Sequence, residues 1–235
     1  MNNITEIIED CIKFYEIEEK KGITRYKSWE HCHNAFKKAK EKKKLEENDI
    51  DYLCLQLSTY LASWGMFRNS FLLWCDYKVH TNVIKDVILN KKYSELWDIK
   101  LNNYNDHISK LSDLIKDIKE HYEPIRKNVY KFLEKDMKTD NGLTDTLISK
   151  ILLGTMACVP AYDRYFVLAV RKINITTGMF NTESIKKLIN NEIVNEILKN
   201  IPKKYSDKYP QMKLLDSCLW QYGYNLEKDE EADKK

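Results

Sequence analysis

Turn-forming residues are scarce in this chain, with only 6 Gly and 4 Pro among 235 residues. A sheet needs many tight reversals, so the scarcity argues for long helices. No sign of charge dominates: 39 Lys and Arg stand against 36 Asp and Glu, a net charge of +3. That balance is too small to imply nucleic acid by itself. The six Cys (11, 32, 54, 75, 158 and 218) never fall in C-x-x-C spacing. Neither a disulfide framework nor a structural zinc site is expected, and the pattern reads as reduced, buried cysteines of a cytoplasmic protein. The longest apolar stretch, about Leu53 to Trp74, is interrupted by Gln56, Ser58, Thr59, Arg68 and Asn69. It predicts buried helices and no membrane span. The first residues lack the charged and apolar regions of a signal peptide.

Apolar residues make up 43% and charged residues 32% of the chain, an ordinary balance for a packed core. Apolar steps of three and four predict an all-α, multi-helix globular domain over 1–225, with a charged flexible tail at 226–235. Helices are expected over Glu6–Lys21, from Thr24 or Arg25 to about Lys44, and over Tyr52–Ser63 capped by Asp49. A thinly apolar region from Tyr93 to Lys138 reads as a peripheral helical pair, with Pro124 near a helix start. A helix-turn-helix element is expected near 139–172, around the turn Thr139-Asp-Asn-Gly142. Further helices are expected over Glu183–Asn200, capped by Thr182, and over Met212–Tyr222, with a linker at 202–210 between them.

Four segments interleave rigid aromatic or apolar residues with one or two ionisable groups. They are Arg25–His33, Leu61–Ser70, Val159–Tyr165 and Tyr209–Asp216. Convergence of the four would give one polar pocket in an aromatic frame, the general form of a ligand or catalytic site. The alternative is four unrelated capping and ion-pair arrangements. Asp163 precedes a helical pattern and is either an N-cap or a catalytic carboxylate, roles that are compatible. Arg164 is expected to pair with Glu30 or Asp216, or to face a phosphate. Lys150 flanks an apolar stripe and either snorkels to solvent or serves as an amine nucleophile. His31 and His33 bracket Cys32 at a spacing that does not share a helix face, so no metal is expected. His31 is the better pocket candidate of the two. Arg68, with Asn69 and Ser70, heads a short helix where an anion could bind.

Together the four segments, as S-W-x-H-C, L-A-S-W-G-M, V-P-A-Y-D-R-Y-F and Y-P-x-M-K-L-x-D, resemble a conserved bacterial family that carries no assigned activity. The stretch Asn141 to Arg164 is also similar in layout to the core of helix-hairpin-helix DNA glycosylases. This chain has Asn141-Gly142 where that family has G-x-G. The resemblance implies Asp163 as the carboxylate supporting glycosidic cleavage and Lys150 as a nucleophile. It further implies Asn141 and Gly142 in a phosphate-gripping turn, and a DNA partner before an RNA one. Trp29, Trp64, Tyr162 and Tyr165 would then enclose a flipped base. Arg25, Arg68, Arg164 and Lys213, with the Lys37–Lys44 run, would hold phosphates. DNA repair or phage defence is the pathway such an activity would serve. Two other classes stay open. Arg25 and His31 resemble the R-x(4–6)-H pattern of HEPN ribonucleases, and a helical adaptor would use every aromatic as core. No motif calls for a cofactor, and the oligomeric state is not legible.

Overall fold

The computed structural model describes residues 2–133 and 142–232. Every regular element among them is helical, as the shortage of turn formers predicts. The chain opens with α1 (Asn2–Lys21), whose last turn carries Lys20 and Lys21 at the negative end of the helix dipole. Gly22, at φ 70°, ends it. Next come α2 (Lys27–Lys40) and α3 (Glu47–Ser63). Asp49 does not cap α3 as expected. Glu46 is the N-cap, and Asp49 reaches back from the third position to accept from the Glu46 N–H at 3.1 Å.

Between Phe71 and Leu96 the backbone runs through short 3-10 turns and one π-helical stretch, Val83–Ile88. After the single turn α4 (Leu101–Tyr104), the expected peripheral pair proves to be one long helix, α5 (Ile108–Phe132). Pro124 lies inside α5, where it withholds one backbone donor without ending the helix. Nor is this region thinly packed, because Leu111, Leu114, Ile118 and Tyr122 are buried. These residues recur at the helical period, and the dense charges between them hide the stripe.

The second half holds α6 (Asp145–Thr155) and α7 (Arg164–Lys172), the expected helix-turn-helix pair. The turn residues Thr139 to Asn141 lie outside the described residues. The predicted 183–200 helix is two, α8 (Thr182–Ile189) and α9 (Glu192–Asn200). Asn181 caps the first, and Asn191 starts the second by accepting from the Ile193 N–H at 2.9 Å. The 202–210 linker contains the turn α10 (Lys203–Ser206). The chain closes on α11 (Gln211–Ala232), so residues 226–232 of the expected flexible tail are helical. Glu227 explains some of this, since it pairs with Arg164 on α7 at 2.7 Å.

Helix α11 packs on both α7 and α1, while α6 packs on α2 and α3. The α7–α11 crossing is close enough that a Cβ on Gly223 would stand 2.0 Å from the Tyr165 carbonyl oxygen. Gly223→Ala must therefore push the two helix backbones apart. It is expected to lower stability by about 1–3 kcal/mol in a denaturant titration. His80 is fully buried between α3 and α5, and its Nδ1 shares a 2.6 Å hydrogen bond with the Tyr122 hydroxyl. Burial lowers its pKa to about 3. Below the ordinary histidine value the unfolded chain then binds a proton that the folded chain refuses. Stability attributable to His80 is thus lost as pH falls from about 6.5 toward 3, by about 1.4 kcal/mol per unit. His80→Phe should flatten that region of the pH–stability curve.

Candidate functional site

The most unusual feature of the structure is the connector from α6 to α7. Residues 156–162 are all buried, yet they form no helix. Backbone groups in such a place need partners, and side chains from several elements supply them. The Tyr104 hydroxyl donates to the Cys158 carbonyl at 2.6 Å. Asp216 Oδ1 accepts from the Ala161 N–H at 2.9 Å, and Ser149 Oγ accepts from the Tyr162 N–H at 2.8 Å. Thr146 Oγ1 donates to the Tyr162 carbonyl at 2.9 Å. At the α6 end, the Trp29 indole N–H donates to the Leu153 carbonyl at 2.9 Å, and His33 Nδ1 lies 2.9 Å from the Thr155 carbonyl oxygen. Ala157 turns the chain at φ 49°, a left-handed conformation that costs a non-glycine residue about 1–2 kcal/mol.

The connector ends at Asp163, which caps α7. Its Oδ1 accepts from the Phe166 N–H at 3.2 Å, and its Oδ2 lies 2.8 Å from Lys150 Nζ. The Lys150 side chain is only 4% exposed and that of Asp163 14%. Lys150 therefore does not snorkel. Helix α6 packs on α2, α3 and α5, and the ammonium lies under Trp64 against Asp163. The Trp64 ring centroid is 4.6 Å from Nζ. The exposed guanidinium of Arg25 also rests on this indole, at 5.2 Å.

A second unit repeats the arrangement. Lys213 Nζ is 3.0 Å from Asp216 Oδ2 and 5.5 Å from the Trp29 ring centroid. Burial above all, with the negative charges of Asp216 and Asp163 behind it, raises the Tyr60 hydroxyl pKa well above the usual value. The four segments thus meet in one cluster. Arg25 and Tyr26 touch Trp64, Trp29 touches Lys213 and Tyr209, and Asp216 holds the Val159–Tyr165 segment through Ala161.

Not every predicted residue joins them. His31 is exposed and lines a groove with Lys38, Lys42 and Tyr52, away from Arg25 on its indole. His33 is the inward residue. It stacks on Trp29 at 4.8 Å and places Nε2 3.1 Å from Asp98 Oδ1. Burial alone would raise the Asp98 pKa, but His33 and Lys37 together hold it below the usual value. Arg164 is exposed and pairs with Glu227, not with Glu30 or Asp216. Glu30 instead accepts from the Tyr209 hydroxyl at 2.6 Å and pairs with Lys27 at 3.1 Å. Tyr162 packs against Phe166 and Phe180, while Tyr165 meets Trp220 and Tyr224. Arg68 and Gly142 line a separate pocket with Ser70 and Thr144. Asn141 lies outside the described residues. In the lysine run, Lys37, Lys42 and Lys44 pair with Asp98, Asp49 and Glu46.

Cysteine nucleophiles find no support, because burial pushes the Cys32 and Cys158 thiols up. Among the described residues, no group of three or more His, Cys, Asp or Glu side chains is placed to hold a metal ion. Among the described residues, no helix is long and apolar enough to cross a membrane. No protein-family model matches the chain, and neither does any curated protein or solved structure.

The Lys150–Asp163 pair sets a clear energetic expectation. Removing one member strands a buried charge and costs about 3–5 kcal/mol, whereas removing both costs far less. Asp163→Asn and Lys150→Met should each destabilise the protein. The double variant should recover most of the loss, read as a coupling energy in a denaturant-melt cycle.

Proposed function

We propose that this protein cleaves an N-glycosidic bond in nucleic acid, DNA before RNA. Asp163 is the carboxylate that supports the electron-deficient sugar, and Lys150 is the amine beside it. The observation that carries this reading is the ammonium–carboxylate contact of 2.8 Å at the first turn of α7, under the indole of Trp64. A fixed negative charge at a helix start stabilises the oxocarbenium-like sugar as its bond to the base breaks. In a covalent variant Asp163 takes a proton from Lys150. The amine then bonds to C1′, the C1′–N electron pair leaves with the base, and the base takes up the proton held by Asp163 as it departs. Arg25, exposed and without an ion-pair partner among the described residues, supplies a phosphate contact at the same indole. Gly65 follows Trp64 at φ 72° and gives that indole a point to swing from as a base enters.

A second reading, a non-enzymatic helical scaffold, is favoured by one specific observation. Both Asp163 oxygens are engaged within the chain, and Trp29 is flanked by His33 and Lys213. The experiment that separates the two uses the Lys150→Met/Asp163→Asn double variant, with its fold checked by circular dichroism and a denaturant melt. Duplex DNA bearing deaminated or alkylated bases is incubated with each protein, and abasic sites are read by alkaline strand cleavage. The glycosidic reading predicts abasic sites with the natural chain and a loss of about 100-fold or more in the folded double variant. Equal cleavage by both, or none by the natural chain on any of these substrates, leaves the scaffold reading.

A further inference from the structure

We infer that Cys11 on α1 and Cys218 on α11 are a disulfide-forming pair, a redox-dependent clamp that joins the first helix of the chain to the last. Both are thiols in this structure, and the two sulfurs stand 2.6 Å apart. A disulfide bond is about 2.0 Å long, so closing it asks for only a small movement. The inference does not rest on the glycosidic reading.

The packing holds the two thiols in register. Ile7, Cys11 and Tyr15 recur every fourth residue and make a buried face of α1, and Leu214, Cys218 and Tyr222 do the same on α11. The two helices pack on each other and run in opposite directions. On one side of the pair the Tyr15 ring stacks on Tyr209, just before α11 begins, at 5.0 Å. On the other side Asn225 Nδ2 donates to Asp10 Oδ2 at 2.6 Å. With the seam pinned on both sides, the two cysteines are kept facing each other. Cys54 and Cys75 instead turn their sulfurs to oxygen atoms, the Thr81 hydroxyl and the Phe71 carbonyl.

Burial decides when the bond forms. Both residues are 0% exposed, and burial pushes the Cys218 thiol well above its usual value. The thiolate is the attacking species, so exchange does not begin in the packed seam. It begins while α1 is off α11, during folding or in a local opening of that terminal helix. The oxidant is a small-molecule disulfide. One cysteine gives its proton to water and attacks a sulfur of the oxidant, which expels one small thiolate and leaves a mixed disulfide on the protein. The other cysteine, deprotonated in turn, attacks the protein-side sulfur, forms the Cys11–Cys218 bond and expels the second thiolate. Two protein thiols are oxidised, one small disulfide is reduced to two thiols, and those thiols take up the two protons. Once α1 docks, the same burial shuts reductants out. The bonded cysteines are 207 residues apart, so the cross-link constrains nearly the whole unfolded chain. Cys218 also lies two residues after Asp216, which accepts from the Ala161 N–H, so the clamp secures the helix that supports the connector.

The test refolds the full chain from denaturant in a buffer of reduced and oxidised glutathione, with its helical signal checked by circular dichroism. Thiols are then counted in denaturant, and linked peptides are mapped without reductant. The refolded chain is expected to lose two of its six thiols and to yield the tryptic peptides 1–13 and 214–228 as a linked pair. It should also unfold at a higher denaturant midpoint than the reduced protein. Cys11→Ala should keep all its remaining thiols and lose the midpoint shift, and Cys218→Ala serves if Cys11→Ala does not fold. A chain that does not refold is oxidised instead in denaturant below its unfolding midpoint, where α1 opens, with the same readouts. Six free thiols in the folded, glutathione-treated chain overturn the inference. So does a bond between any other two cysteines, or a linked chain whose midpoint does not rise. A linked chain without the helical signal that the reduced one shows also overturns it.

Discussion

A stretch of non-helical backbone driven through the middle of a helical protein is the constraint on which the site depends. Residues 156–162 are buried, and beyond the Met156 amide and the Met156 and Ala161 carbonyls, which pair with backbone, several of their amides and carbonyls turn to side chains. An unsatisfied buried backbone group costs about 1–3 kcal/mol. The connector therefore draws polar side chains inward from α4, α6 and α11: Tyr104, Thr146, Ser149 and Asp216. Of the four segments, Arg25–His33 and Tyr209–Asp216 meet part of these demands, through Trp29, His33 and Asp216. Tyr104 brings the chain before α5 to the connector, and Asp216 brings the start of α11. Once the connector is fixed, Asp163 can only emerge facing α6, and Lys150 is the α6 residue that meets it.

Much of this was legible in the sequence, and what was not legible shares a cause. Helix content followed from the scarcity of Gly and Pro. The common alternation of rings and charges singled out the four segments but left open whether they meet or form separate caps and ion pairs, since the contacts that join them are distant in sequence. Local pattern failed where tertiary cover decided. Lys150 reads as a snorkelling residue on a helical wheel, because a wheel does not show that α2, α3 and α5 pack on α6. His31 and His33 lie two residues apart, and the choice between them turned on which side faces Thr155 and Asp98, neither of which is near in sequence. Arg164 follows Asp163 directly and so points roughly 100° away around α7, to the outer face where Glu227 waits. The α5 stripe was masked by charges, and Glu227 was lost among the alternating signs of the tail.

The cluster holds two Lys–Asp pairs, each with an indole under the ammonium, and the two differ in their surroundings. Lys213 and its indole, Trp29, border a cleft between α1, α2 and α11, whereas Lys150 and Asp163 lie outside it. The Lys150 pair is closed off by Trp64, on which an exposed Arg25 also rests. A pair of this kind fixes geometry more than it adds stability, since desolvation offsets most of the Coulombic gain. What it gives the protein is a carboxylate held in one position at a helix start, which is a requirement for chemistry on a sugar and equally for a rigid scaffold.

The most direct measurement is native-state hydrogen exchange at the Ala161 and Tyr162 amides. Neither belongs to a helix, and ordinary loop amides exchange by small local openings. Side-chain acceptance by Asp216 and Ser149 predicts that both amides exchange only with global unfolding, as slowly as the interior of α11. Exchange at the rate of an open turn such as that at Gly22 and Ile23 would contradict a connector held this way, and with it the placement of Asp163.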